Sequence, residues 1–278
     1  MNLRRLLLVT TVTTAMTALV GVITATTGAG LTCEARWPLC DGAVFGLFPA
    51  NFMSFIEWFH RLVAMITGFL IVGSAIAAWR GGASRRIRFA TLAAMVLTPL
   101  QIVFGAFTVL VHEFVFGYSV LVLTFHFGLA SLILSLLVAA TVWAYADASP
   151  VSADSVQRAG TVALLGFPVM VALTPRLFFT FGEIVQFVYY GLGFSMFAAL
   201  VVVALWGRET GLRGVPVVGA VAAALIVAQL VIARWAIGDT GQLLIVGLSF
   251  AAFALTFVSV WRTRALASMP TGPSPAGD

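Results

Sequence analysis

The chain has 278 residues, of which 61% are hydrophobic and 9% are charged, and its mean hydropathy is +1.08. So apolar a composition exceeds what a water-soluble core needs and indicates an integral membrane protein. All fifteen basic residues are arginine, against ten acidic residues. Because most of these arginines flank apolar segments, the net charge of +5 does not indicate a nucleic-acid partner.

Apolar segments long enough to cross a bilayer, which takes about 20 helical residues, recur along the chain. The predicted spans are 6–27, 54–79, 89–110, 118–146, 159–175, 183–206, 215–236 and 242–261. The first could instead be a signal peptide, but its apolar run is longer than a signal core and no clear cleavage site follows it. The predicted fold class is therefore all-α, a polytopic membrane protein with eight transmembrane helices.

The arginines predict how these helices are oriented in the membrane, because positive residues are retained on the cytoplasmic side. Most of them fall on the side of the N-terminus if eight spans cross: Arg4, Arg5, Arg80, Arg85, Arg86, Arg88, Arg158, Arg208, Arg213, Arg262 and Arg264. We therefore expect a multi-pass protein of the cell (plasma) membrane with both termini in the cytoplasm. The loop 28–53 is then expected outside the cell.

That outer loop carries both cysteines of the chain, Cys33 and Cys40, with six residues between them. An oxidising compartment permits a disulfide there, and two unpaired thiols or part of a metal site are the alternatives. Two cysteines alone supply too few ligands for a closed zinc site. The favoured interpretation is a disulfide, whose redox activity the sequence leaves open.

The second span contains the ionisable residues Glu57, His60 and Arg61 within five positions. Ionisable groups inside a membrane are rare and mostly functional. At 1.5 Å per residue, His60, His126 of the fourth span and Gln101 of the third share a level roughly 9–14 Å below the outer surface. Two histidines from different helices at one level fit the axial positions of a haem iron, and a hydrogen-bonded interhelical pair is the alternative.

The residues around this histidine pair allow several roles. Glu57 lies one turn before His60 and could act as a general acid or base, stabilise positive charge on a substrate carbon, or pair with Arg61. Arg61 could bind a haem propionate or reach the membrane interface. His112 needs no function, because exposure in a short outer loop explains it. Several apolar residues could line a haem slot or be ordinary packing residues: Phe55, Phe59, Met65, Phe104, Phe107, Phe125 and Phe127.

The polar segment 147–158 divides the spans into two similar sets of four, which suggests a duplication. Gln229 corresponds to Gln101, Tyr189 corresponds to His60, and Gly247 corresponds to His126. Such sets pack as helix bundles with sites between facing helices, so two tandem four-helix bundles are predicted. The predicted units are an N-terminal half with the haem site (1–146), a polar cytoplasmic linker (147–158), a C-terminal half with a degenerate site (159–264) and a flexible cytoplasmic tail (265–278).

Together these motifs resemble the haem A synthase family. The resemblance rests on the Cys33–Cys40 loop with WPLC, on EWFHR, on GAFTVL in the third span and on TFHFGLA in the fourth, and it is strongest over 20–140. It implies an eight-helix membrane oxidoreductase that converts the C8 methyl of haem O to a formyl group, making haem A for terminal oxidases. It further implies a Cys33–Cys40 disulfide, a Glu57 required for activity, and one haem between His60 and His126.

The resemblance also implies partners beside the lipid bilayer. These are haem O as substrate at the His60 and His126 site, a farnesyltransferase that supplies it, and an electron donor. A homo-oligomer is left open.

The second half departs from the family pattern. Tyr189 and Tyr190 stand where a histidine and an arginine are expected, and Gly247 stands where the opposing histidine is expected. No histidine follows His126, so a second haem b with two histidine ligands is not expected.

The alternative to catalysis is a one-haem membrane protein, similar to cytochrome b, that binds haem or transfers electrons. A transporter ranks last, because the predicted halves have parallel rather than inverted topology.

Overall fold

A computed structural model describes residues 2–33, 39–40, 43–44, 48–111, 120–175, 177–234 and 238–267. His112 and residues 268–278 of the predicted tail lie outside this part. The described residues form eight long helices: α1 (Leu3–Thr26), α2 (Phe52–Arg80), α3 (Arg85–Val111), α4 (Val120–Ala146), α5 (Ala153–Ala172), α6 (Glu183–Glu209), α7 (Val215–Ala233) and α8 (Gly238–Ala267). All eight are long and apolar enough to cross a membrane, which confirms the all-α polytopic fold class.

The loop between α1 and α2, which is predicted to lie outside the cell and is called the outer loop for that reason, contains short regular elements in its described residues. A 3-10 turn (Ala29–Leu31) follows α1, and β1 (Ala43–Val44) pairs antiparallel with β2 (Phe48–Pro49) before α2 begins. Asn51 caps α2, because its side chain accepts the Met53 N–H at 2.8 Å. The start of α2, and with it the position of Glu57, is thereby fixed next to the outer loop.

Helix α5 shows the clearest difference from the predicted boundaries. Ser152 caps this helix, because its hydroxyl oxygen accepts the Ser155 N–H at 3.2 Å. Asp154 in the first turn suits the positive end of the helix dipole. The second part of the polar segment 147–158 is therefore helical, since α5 begins at Ala153. The domain division based on that segment stays a prediction.

The helices pack as two four-helix bundles. In the first bundle (α1–α4), α1 and α3 each pack on both α2 and α4, so α2 and α4 lie diagonally across it. In the second bundle (α5–α8), α6 and α8 are diagonal in the same way. Helices α1 and α4 pack on α6 and join the two bundles. Diagonal helices of a bundle can present side chains to a shared interior site.

Hydroxyl pairs hold α1 beside α2. Thr10 Oγ1 lies 2.8 Å from Ser74 Oγ, and Thr17 Oγ1 lies 2.8 Å from Thr67 Oγ1. In lipid, small hydroxyl residues let two helices approach closely and form hydrogen bonds across the interface. Helix α1 is thereby fixed as one wall of the first bundle at the level of His60.

Arg86, in the first turn of α3, joins the bundles at the end where α1 begins and α8 ends. Its Nη2 donates to Asp147 Oδ1 at 2.6 Å, and its Nη1 pairs with Glu209 at the end of α6. Its guanidinium lies 5.6 Å from the centre of the Trp143 ring. Arginine and tryptophan together are typical of a membrane interface.

Candidate functional site

His60 and His126 lie on the diagonal helices α2 and α4, and each imidazole rests against a neighbouring helix. The backbone of Thr17 in α1 lies beside the His60 imidazole. Gln101 Nε2 in α3 lies 3.3 Å from His126 Nε2. The structure therefore brings Gln101 and His126 together, which agrees with the common depth predicted for them. It adds Thr17 as a neighbour of His60.

Each histidine has one ring nitrogen with no partner. The Nδ1 atoms of His60 and His126 and the Oε1 atom of Gln101 are buried without a hydrogen-bond partner among the described residues. An unpaired buried polar atom costs about 1–3 kcal/mol, so such atoms call for an explanation. Turning over the Gln101 amide would place its oxygen beside His126 Nε2 and would still leave His126 Nδ1 free.

This pattern of partnered and free nitrogens fits a metal-ligating pair. A ligating histidine places one ring nitrogen on the metal and holds the other with an outer hydrogen-bond partner. With the Gln101 amide turned so that its oxygen accepts the His126 Nε2–H, His126 has such an outer partner and keeps a lone pair on Nδ1. His60 lies beside the Thr17 backbone and likewise keeps a free Nδ1. The residues present therefore fit the two axial positions of a haem iron.

Glu57 is directed into a network with the outer loop. Its side chain is buried, and its Oε2 accepts the Cys33 N–H at 2.7 Å and the Thr32 hydroxyl at 3.2 Å. Its Oε1 pairs with Arg61, which was one of the predicted alternatives. The contact with Cys33 was not predicted, because a loop residue 24 positions away leaves no signal in the helical spacing.

Cys33 and Cys40 form a disulfide, with their Cα atoms 4.5 Å apart. This confirms the predicted disulfide and leaves neither sulfur as a thiol ligand. Both cysteines are buried against Trp58, the residue that follows Glu57. The disulfide, Trp58 and Glu57 thus form one packed unit that attaches the outer loop to α2 one turn before His60.

The residues considered for a haem slot do not form one group. Phe104 stacks on Phe125 between α3 and α4, with ring centres 6.0 Å apart. Phe127 instead lies 5.5 Å from Tyr190 of α6 and belongs to the core between the bundles. Four are more than a third exposed: Phe59, Met65, Phe107 and Phe125. Phe127 is therefore a packing residue between the bundles.

In the second bundle, the positions that correspond to His60 and Gln101 hold side chains that are hydrogen-bonded to each other. Tyr189 and Tyr190 are fully buried. Gln229 Nε2 donates to the Tyr189 oxygen at 3.0 Å, and the Tyr190 hydroxyl donates to the Leu230 carbonyl at 3.0 Å. Gly247 lies on an exposed part of α8, with nothing within 4 Å of the point where a Cβ would be. Both tyrosines therefore serve the contact between α6 and α7.

Replacing Tyr189 with phenylalanine is expected to destabilise the protein by about 1–3 kcal/mol, because Gln229 Nε2 loses its acceptor in a buried place. Reversible denaturation in detergent measures this loss. The double variant Tyr189→Phe with Gln229→Leu should recover most of it, because both polar partners are then removed. Tyr145→Phe, outside this pair, is the matched control. A Tyr189→Phe protein as stable as that control would contradict the structural role of the pair.

Comparison with known proteins agrees with this geometry. The family model of the cytochrome oxidase assembly protein (COX15-CtaA) matches residues 4–179, a range that contains Glu57, His60 and His126. Haem A synthase of Bacillus licheniformis is 34% identical over 122 residues, which cover 44% of this chain and 38% of that protein. Haem A synthase of Shouchella clausii is 32% identical over 150 residues, covering 54% and 48% respectively.

A relative that is named as a farnesyltransferase also matches part of the chain. Protoheme IX farnesyltransferase of Halobacterium salinarum is 44% identical over 88 residues, which cover 32% of this chain and 19% of that protein. In each of these alignments the chain spans less than half the length of the curated relative. The family model, by contrast, matches more than half of the 278 residues. The chain therefore belongs to the haem A synthase family of cytochrome oxidase assembly proteins.

Proposed function

We propose that this protein is a membrane oxidoreductase of haem A biosynthesis. It binds haem O between His60 and His126 and oxidises the C8 methyl group to a formyl group. The observation that carries the proposal is the histidine pair on diagonal helices, in which each imidazole lies beside a group of the neighbouring helix and keeps one buried ring nitrogen free. The family match covers both histidines and therefore supports the same conclusion.

In this proposal the protein's own side chains hold and orient the substrate. His60 and His126 would hold the haem iron, while the Thr17 backbone and the Gln101 amide, with its oxygen toward His126, would orient the two imidazoles. The substrate brings its own iron to the site, where oxidation at the ring edge takes place. Glu57, one turn from His60, stabilises positive charge that develops on the methyl carbon.

The oxidation needs co-reactants from outside the chain. In a monooxygenase-like sequence, each of two oxygen insertions consumes one dioxygen, two electrons and two protons and releases one water. Loss of a further water then leaves the formyl group. Dioxygen and an electron donor are therefore part of the proposal. A farnesyltransferase supplies haem O, and the match to a relative named protoheme IX farnesyltransferase supports a link to that step.

A second candidate function is a one-haem protein that binds haem or transfers electrons without catalysis. The observation that favours it is the Glu57 carboxylate, whose oxygens have structural partners in Cys33, Thr32 and Arg61. A carboxylate engaged in this way is explained by stability alone. In both candidates the second bundle holds no haem, because Tyr189 and Gly247 stand at the corresponding ligand positions.

Pigment analysis of the purified protein separates these candidates. The protein is produced in cells that supply haem O, and its bound haems are extracted and identified by mass. Hydroxylated haem O or haem A on the wild-type protein, absent from the Glu57→Ala variant, is the expected result. Bound haem b alone, unchanged by Glu57→Ala, would instead establish the non-catalytic function.

A further inference from the structure

The two histidines rest on similar pairs of residues in the neighbouring helices. On α1, the backbone of Thr17 lies beside His60, and Gly21 follows four residues later. On α3, Gln101 contacts His126, and Gly105 follows four residues later. Residues four apart lie on one face of a helix. Each imidazole thus lies against two residues one turn apart on the helix beside it, Thr17 with Gly21 or Gln101 with Gly105.

Neither glycine leaves room for a methyl group. A Cβ at Gly21 would lie 2.9 Å from His60 Cε1 and 3.4 Å from its Nε2. A Cβ at Gly105 would lie 3.2 Å from His126 Cε1. Carbon atoms in favourable contact are about 3.5–4.0 Å apart. An alanine at either position would therefore push the imidazole away from its helix.

The close contact distinguishes these two glycines from the others in the helices of the first bundle. At Gly73 and Gly128 no atom lies within 4 Å of the point where a Cβ would be. At Gly68 that point lies 4.0 Å from the Thr98 methyl group. Among the described helical glycines of this bundle, those without room for a methyl group are thus the two that face the histidines.

The second bundle provides an internal comparison. Gln229 corresponds to Gln101, and the residue four positions after Gln229 is Ala233, which is buried. The bundle without histidine ligands therefore has alanine where the first bundle has Gly105. The second bundle thus lacks both the histidine and the glycine at the corresponding positions, and its own closely packed glycines, such as Gly193 against Leu230, contact aliphatic side chains.

We propose that Gly21 and Gly105 are positioning residues, which set the planes of the His60 and His126 imidazoles so that both can bind one haem iron. In each pair the first residue lies at the imidazole through the Thr17 backbone or the Gln101 side chain, and the glycine lets the ring lie close to the helix. This inference rests on the proposed haem site. It adds that α1 and α3, which supply no ligand, determine the orientation of both ligands.

The test compares Gly21→Ala and Gly105→Ala with the matched controls Gly73→Ala and Gly128→Ala. Haem affinity is measured by titrating the haem-free protein in membranes, and the electron paramagnetic resonance spectrum of the bound low-spin iron reports the angle between the two imidazole planes. For Gly21→Ala and Gly105→Ala we expect about 10–100-fold weaker binding, the range found for outer-shell residues, and a shifted spectrum. The controls should match the wild type.

The experiment distinguishes a wrong positioning role from a wrong haem site. If Gly21→Ala and Gly105→Ala match the controls in affinity and spectrum, the positioning role is wrong and the haem site stands. If His60→Ala and His126→Ala retain the pigment, the haem site itself is wrong and the inference falls with it. A Gly21→Ala or Gly105→Ala chain that does not accumulate in the membrane also counts against the proposal, because the glycine then serves folding.

Discussion

Replacing His126 with alanine is expected to abolish the low-spin haem spectrum of the protein. The replacement removes one axial ligand, and the opposing ligand His60 cannot hold the iron in the same state. We expect a loss in haem affinity larger than the 10–100-fold that outer-shell changes cause. His60→Ala should have the same effect, since the two imidazoles bind from opposite sides. Titration of the haem-free protein, followed by absorption, measures both losses.

The chain itself offers the control for this experiment. It has three histidines, and the third, His112, is not assigned to the site. His112→Ala is therefore expected to bind haem as the wild type does. The opposite pattern, loss of the spectrum in His112→Ala and retention in His126→Ala, would show that the ligands have been assigned wrongly.

The number and length of the helices could be predicted from the sequence, because apolar length is a local property that the bilayer thickness fixes. The eight spans are confirmed, with small changes at their ends. Helix α5 begins at Ala153, earlier than the predicted span 159–175, because the polar residues before that span are part of its first turns. Its cap at Ser152 and the acidic residue Asp154 are signals for a helix start that the sequence does contain.

Contacts between helices could not be predicted in the same way. A helix in a bilayer is apolar all round, so its sequence does not show which face meets another helix. Phe127 illustrates this, since it follows His126 directly and yet packs against Tyr190 in the other bundle. The contact of His60 with Gly21 joins separate helices and has no local signal either. The common depth of Gln101 and His126 could be predicted, because the depth of a residue in a membrane helix follows from counting residues along that helix.

Replacing Glu57 with alanine is expected to destabilise the protein by about 1–3 kcal/mol, because the buried Cys33 N–H loses its acceptor. Arg61 also loses the counter-charge of Glu57, and the Thr32 hydroxyl loses an acceptor. The outer loop should also open more readily. Denaturation in detergent measures the stability, and the rate at which a reductant cleaves the Cys33–Cys40 disulfide measures the opening of the loop.

Asp154 provides the matched control, because its ion pair with Arg158 has the same four-residue spacing but is exposed to solvent. Asp154→Ala is expected to cost only about 0.3–0.5 kcal/mol and to leave the rate of disulfide reduction unchanged. If Glu57→Ala and Asp154→Ala had equal effects on stability, Glu57 would not be the residue that attaches the outer loop to α2.

Glu57→Gln then separates the structural role of this residue from a chemical one. The amide oxygen can still accept the Cys33 N–H, whereas the negative charge is lost. If Glu57 stabilises charge on the substrate, this variant keeps the disulfide unit and binds haem O but forms little haem A. If Glu57 only supports the outer loop, haem O conversion should fall no further than the remaining stability and haem content explain. Comparing product formed per bound haem in Glu57→Gln and wild type therefore decides whether the carboxylate takes part in the oxidation or holds the site in place.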